Sequence, residues 1–310
     1  MSNGLIPGSE EHKKVLCRMF IDTHDPFQPA EIRWPELDAE TLQRLKDMPV
    51  WNEATRTEAA TAVKVQSLGD TEKDPLLAEA ISLQGYEEGR HAEVLMLLTK
   101  HYGIPVAPFP PAEVPRDPTR AFLRTGYGEC LDSFFAFGLF ALGERAQLFP
   151  KALIDVFETI MQEEARHILF IVNWAAYLRA RRPLALRPAF DLWRGWNIMA
   201  QAFDRLKGAL SMAGGNGRKD DRKKDDEKNY TATGRDATQV GFTMKSHSMF
   251  GDFSLRAFLE TCLEENARRL APYDSRLLRP MLVPSVVKTV VRVLPRKKAS
   301  SKPAADEKAA

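Results

Sequence analysis

Cysteine is nearly absent. The 310 residues contain three, Cys17, Cys130 and Cys262, far apart and forming no Cys-x-x-Cys pair, which argues against a thiolate site for zinc or iron. No charge of one sign predominates either: 44 Lys and Arg stand against 42 Asp and Glu, for a formal net charge of +2. A chain so balanced has no long-range field to gather nucleic acid, and no zinc-finger or RNA-binding signature occurs. Long hydrophobic runs are missing too. No stretch reaches the length that crosses a bilayer, and residues 1–11 contain no apolar signal core. Together these absences predict a soluble, cytoplasmic protein that does not bind nucleic acid. What remains is an ordinary globular composition, 44% hydrophobic and 28% charged, enough to build a sizeable core in one large domain or two smaller ones.

Apolar residues recur at helical spacing through the middle of the chain, which predicts an all-α fold. Residues 1–49 are polar and Pro-rich and read as an irregular N-terminal arm, with a short helix at 38–47. A first long helix is expected over 51–68, with the stripe Trp51, Ala54, Thr61, Val65, Leu68 and a stop at Gly69 and Asp70. A second spans 75–102 and ends at Gly103 and Pro105; its stripe is Leu77, Ile81, Gln84, Glu88, His91, Leu95, Leu98. A proline-rich crossing at 105–118 leads to a third helix at 120–147, rich in Phe. Pro150 suits the first turn of a fourth helix, 151–181, with the stripe Leu153, Phe157, Ile160, Glu164, His167, Ile171, Trp174. A fifth is expected at 188–212, so a helical bundle occupies 50–212. A flexible linker of mixed charge then covers 213–250, a helical segment 251–283, and a basic, disordered tail 284–310.

The chemistry lies in an internal repeat. Glu87-Glu88-Gly89-Arg90-His91 recurs 76 residues later as Glu163-Glu164-Ala165-Arg166-His167. One Glu-x-x-His would be weak evidence; two, each inside the same five-residue pattern, are much stronger. On a helix, residues i and i+3 share a face, so Glu88 with His91, and Glu164 with His167, can each reach one ion. Both pairs lie on apolar stripes, where a carboxylate is costly unless it is paired or binds a cation. A bundle site needs one further carboxylate from each of the other two long helices. In an antiparallel hairpin, partners at one height lie equally far from the turn. Glu58 and Glu88 are centred on residue 73, inside the expected turn, and Glu58 interrupts the apolar stripe where Glu53 does not. Glu129 and Glu164 are centred just before Pro150, which favours Glu129 over the alternative Glu144.

This E…ExxH…E…ExxH pattern, over roughly residues 50–180, resembles the ferritin-like di-iron carboxylate superfamily, which includes rubrerythrins, bacterioferritins, demethoxyubiquinone hydroxylases and soluble oxygenase subunits. The resemblance implies a ferritin-like four-helix bundle, here with additional C-terminal helices. It implies a pair of iron ions, or manganese in place of one or both, held by Glu58, Glu88, His91, Glu129, Glu164 and His167, with Glu88 or Glu164 bridging. Beyond these ligands it assigns no catalytic residue. The chain departs from classical rubrerythrins in lacking a Cys-x-x-Cys iron domain, and from ferritins in its long C-terminal extension.

The activity implied is that of a non-haem di-iron oxidoreductase, an oxygenase or oxidase acting with dioxygen and an electron donor on a small, apolar organic substrate. The alternatives are a ferroxidase or peroxide scavenger without organic substrate, and a non-catalytic helical scaffold. Whether copies of the chain associate into a homo-oligomer is left open.

Other residues receive plainer readings. Glu87 and Glu163 are expected to flank the site and pair with Arg90 and Arg166. Asp132 either accepts a ring N–H from a ligand histidine or is a partly exposed acid. Phe134, Phe135, Phe137 and Phe140 line a pocket or fill core, with Gly138, Ala141 and Gly143 leaving room for either. His12, His24, His101 and His247 read as surface residues, and Arg179, Arg181, Arg182 and Arg187 as charge favourable to a helix C-terminus. The tail's apolar run Val286–Leu294 followed by Arg296, Lys297 and Lys298 is not expected to touch a membrane, because Pro295 interrupts it and few basic residues are present.

Overall fold

The computed structural model describes residues 5–48, 50–213 and 254–295. The expected charged linker apart from Ala213, together with His247 and the tail beyond Pro295, lies outside them. The described residues form nine α-helices and no strand. These are α1 (Glu10–Asp22), α2 (Ala39–Asp47), α3 (Trp51–Thr71), α4 (Pro75–His101), α5 (Pro118–Arg145), α6 (Lys151–Arg181), α7 (Arg187–Ala213), α8 (Leu255–Leu270) and α9 (Leu282–Val293). No helix among them is long and apolar enough to cross a membrane.

Local chemistry explains where the long helices start. Asp38, Asp74 and Asp117 each sit just ahead of a helix and accept backbone N–H groups of its first turn, from Thr41, from Leu76 and Leu77, and from Arg120 respectively. Pro75 and Pro118 follow two of these caps, at positions that need no amide donor. Pro150 is itself the residue before α6, one position outside the first turn expected for it.

α3 packs on α4, α4 on α6, α6 on α5, and α5 on α3, so the four long helices close a ring. α1 lies across α4 and α6, α7 and α8 each cover α5 and α6, and α9 rests on α8 and α5. The main core joins Leu16 and Phe20 of α1 to Val65, Ile81, Phe122, Ile168 and Trp174 of the ring.

Three expectations are corrected. The N-terminal arm is not irregular: α1 is a helix, and its Leu16, Cys17 and Phe20 are wholly buried. Gly69 does not stop α3, which runs on to Thr71. It packs tightly against α4, since a Cβ there would lie 2.3 Å from the Ser82 Oγ. The residues from 284 onward are not all tail, because α9 occupies Leu282–Val293. Pro284, where the tail is expected to begin, sits instead in the first turn of α9, where no hydrogen bond is lost.

Candidate metal centre

α4 and α6 bring the two repeats face to face. Glu88, His91, Glu164 and His167 place one ligand atom each within 4.8 Å of one another, deep between the helices. The His91 and His167 rings are stacked, with centroids 5.5 Å apart. The shortest contacts run between repeats: Glu88 Oε1 is 3.0 Å from His167 Nδ1, and Glu164 Oε1 is 3.3 Å from His91 Nδ1. Glu164 Oε1 also lies 3.8 Å from His167 Nδ1, so it faces both rings. Glu58 reaches in from α3, its Oε2 3.6 Å from His91 Nδ1. Glu129 of α5 lines the same space, whereas Glu144 is exposed near the end of that helix. Glu53 lies further along α3 and is held by Arg56 and Thr57. All six sequence-derived candidates therefore converge.

The other nitrogen of each ring is fixed crosswise. His91 Nε2 is 2.8 Å from Glu163 Oε2, and His167 Nε2 is 2.9 Å from Glu87 Oε2. Arg90 donates to Glu163 and Arg166 to Glu87, both buried. The expected pairing of Glu87 and Glu163 with these arginines thus occurs, but each carboxylate takes the arginine of the opposite repeat as its close partner. Their contact with the rings was not foreseen. Asp132 lines the neighbouring cavity, and the ring N–H acceptors are Glu87 and Glu163 instead. The doubled Glu of each repeat was the available signal: one member faces the centre and its neighbour the next helix.

α1 and the segment after it close this side. Phe20 stacks on His167 at 5.8 Å, and the Arg90 guanidinium lies 3.9 Å from the Phe27 ring centre. Arg90 donates to the carbonyls of Asp25 and Phe27, and Arg166 to that of Thr23. His24, expected on the surface, is half-buried and bonded to Glu87. His12 is 1% exposed and bonded to Asn173; only His101 among the described three is exposed.

The donor set fits a cation. The Nδ1 atoms of both histidines and both oxygens of Glu129 are buried without a hydrogen-bond partner, although carboxylate oxygens stand close to each Nδ1. A native interior rarely leaves such atoms unsatisfied, and buried imidazole and carboxylate donors of this kind could hold a metal ion. With Glu87 and Glu163 answered by Arg166 and Arg90, the inner carboxylates Glu58, Glu88 and Glu164 face the two histidines, and the buried Lys64 of α3 lies within electrostatic reach of Glu129 and Glu88. Burial raises the Glu58 carboxyl to about 8, against the pull of His91. Burial, then Glu88 and Glu164, hold the Glu129 carboxyl well above its usual range. Burial alone would lower both histidines. Glu163, Glu164 and Glu58 instead raise His91, and Glu88 and Glu87 raise His167. The cluster can hold a metal ion, and its ligands sit where deprotonation awaits one.

A cavity of about 340 Å³ opens from the cluster. Glu58, Glu88, His91, Glu129 and Glu164 line it where it meets the cluster, and its walls are largely apolar: Leu45, Trp51, Phe135, Leu139, Phe140, Leu153 and Phe157. It follows α6 from Glu164 back to Leu153, which at the helical rise is a length of about 16 Å. The Phe-rich helix divides its side chains. Phe135 and Phe140 line the cavity, while Phe134 and Phe137 are buried in the cores on either side. Gly138 leaves no pocket, for a Cβ there would meet Cys262 Sγ at 2.3 Å; Gly143 lies on the cavity wall with open space before it.

No protein-family model, no curated protein and no solved structure matches the chain.

Proposed function

We propose that the protein is a di-metal oxidoreductase of the ferritin-like di-iron kind, which uses dioxygen to oxidise an elongated apolar organic molecule. The observation that carries this reading is the six-residue cluster, Glu58, Glu88, His91, Glu129, Glu164 and His167, whose members other than His167 line an apolar cavity. Two divalent ions would offset the charge of four carboxylates, which is costly in this interior when uncompensated. Hard carboxylate oxygens with imidazole nitrogens suit iron and manganese. Two ferrous ions would supply electrons for the reduction of dioxygen.

The rest of the work belongs to the chain. Glu163 and Glu87 hold the His91 and His167 rings with Nδ1 toward the centre and make both imidazoles stronger donors. Arg90 and Arg166 pair with these two carboxylates, and α1 with its following segment excludes water from the histidine side. The apolar walls orient a molecule with its reactive carbon toward Glu58 and Glu129, and they admit no strongly hydrated group.

Elemental analysis of protein from iron- and manganese-supplied cells tests the centre. About two ions per chain, lost in His91→Ala, is the expected result; a chain that stays metal-free after anaerobic ferrous reconstitution overturns the reading. Oxygen uptake by the loaded protein with a chemical reductant then separates the activities. Uptake that rises with an added long-chain apolar compound supports the oxidase or oxygenase, whereas iron oxidation or peroxide turnover insensitive to any such compound assigns a ferroxidase or scavenger.

A further inference from the structure

We propose that α9 docks the protein on an anionic membrane surface. The helix has two apolar faces. Val287 and Val291 are buried in a cluster with Phe134 and Leu139 of α5 and Phe258 of α8, and Arg256 of α8 donates to the carbonyls of Val291 and Leu294 at 2.6 and 2.8 Å, fixing the C-terminal end. The outward face presents Leu282, Val286, Val290 and Val293, which are 55, 57, 37 and 79% exposed. Their spacing places them on one stripe. Valine is a poor helix former, so a row of exposed valines has no local justification in water.

Charge identifies the partner. Ser285, Lys288 and Arg292 form an exposed polar flank beside the stripe. Within residues 282–298 the sequence holds five Lys or Arg and no Asp or Glu: Lys288, Arg292, Arg296, Lys297 and Lys298. The rest of the chain is left with 39 basic residues against 42 acidic ones. The nearly neutral protein therefore carries an unbalanced run of positive charge in the stretch of sequence that holds its exposed valines. An amphipathic helix with an apolar stripe, a basic flank and a polybasic neighbour fits a bilayer interface of anionic lipid. At twelve residues it lies along such a surface and is too short to span it. A second copy of the same face would bring two positive runs together, which opposes self-association there.

Flotation of the full chain with vesicles tests this. Binding to vesicles of phosphatidylcholine with about one third phosphatidylglycerol is expected to exceed binding to phosphatidylcholine alone by at least roughly tenfold. Raising NaCl to about 0.5 M should release most of it. Val286→Glu with Val293→Glu, both at exposed positions, should abolish flotation while leaving the helical circular dichroism and the melting temperature unchanged. Lys288→Glu with Arg292→Glu should remove the preference for anionic lipid. Flotation that is absent, or equal on both vesicles, overturns the proposal. So does a dimer in sedimentation that the Val286→Glu, Val293→Glu protein loses, since that would make the face an interface between copies.

Discussion

Each histidine of the cluster has Nε2 held by a carboxylate and Nδ1 turned to the centre, and the two sides can be perturbed separately. Glu163→Gln keeps an acceptor for His91 Nε2 but removes the charge that Arg90 answers. The ring should stay in place with a weaker Nδ1 donor. Metal affinity should fall by about 10–100-fold, read by competition with a chromophoric chelator, without loss of the fold. Glu129→Ala removes a carboxylate whose two oxygens face the cavity unpartnered, and Glu144→Ala one exposed to solvent. The first should cut metal content per chain substantially and the second leave it intact; the reverse result in elemental analysis would move the α5 ligand to Glu144. These inner residues were legible because i, i+3 spacing and distance from a turn are properties of one dimension. The crosswise grip of Glu87 and Glu163 was not. It depends on how far α4 and α6 are rotated toward each other, which no single helix encodes.

The long helices were legible as elements because each has a strong periodic stripe and most have an Asp or Pro at the start. α1 escaped notice because its buried face mixes His12 and Lys13 with Leu16 and Cys17, so its apolar period is broken where the protein satisfies polar groups by contacts from elsewhere, Asn173 and Asp74 among them. Gly69 misled for a related reason. Glycine ends a helix when backbone freedom is needed, but here the small side chain serves close packing between α3 and α4. Two substitutions separate these roles. At Gly195, on the exposed side of α7, an added Cβ would meet nothing within 4 Å, so Gly195→Ala should stabilise by about 0.5–1 kcal/mol through helix propensity. At Gly69 the same methyl meets Ser82 Oγ at 2.3 Å and the Ser82 backbone at 3.1 and 3.2 Å. The packing conflict should outweigh the propensity gain and leave Gly69→Ala less stable by about 1–3 kcal/mol. Urea unfolding midpoints of the two variants should shift in opposite directions.

For the whole molecule the centre links stability to pH, and the sign depends on whether metal is bound. In the metal-free chain burial raises Glu58 from 4.5 to about 8, and burial with neighbouring carboxylates raises Glu129. Between those values the folded state holds protons that the unfolded chain has released, so stability falls as pH rises through that window. His91 and His167, raised above 6.5 by the carboxylates around them, act in the same direction: their contribution is complete below 6.5 and is lost on going up through their folded values. Glu87 and Glu164 act oppositely. Burial works against them, but His167 and Arg166 lower Glu87, and His91 and His167 lower Glu164, so their contribution is lost as pH falls below about 4.5. The metal-free protein should therefore be most stable near pH 4.5 and melt progressively lower toward pH 8.5. A bound cation takes the place of these protons and requires the ligands deprotonated, so loading should stabilise more as pH rises. Melting curves of the loaded and chelator-stripped protein from about pH 5.5 to 8.5 should thus diverge. Parallel curves would mean that the buried carboxylates and histidines do not exchange protons for metal, and that the cluster is a structural ion-pair network whose positive charge comes from Arg90, Arg166, Lys64 and the two histidines.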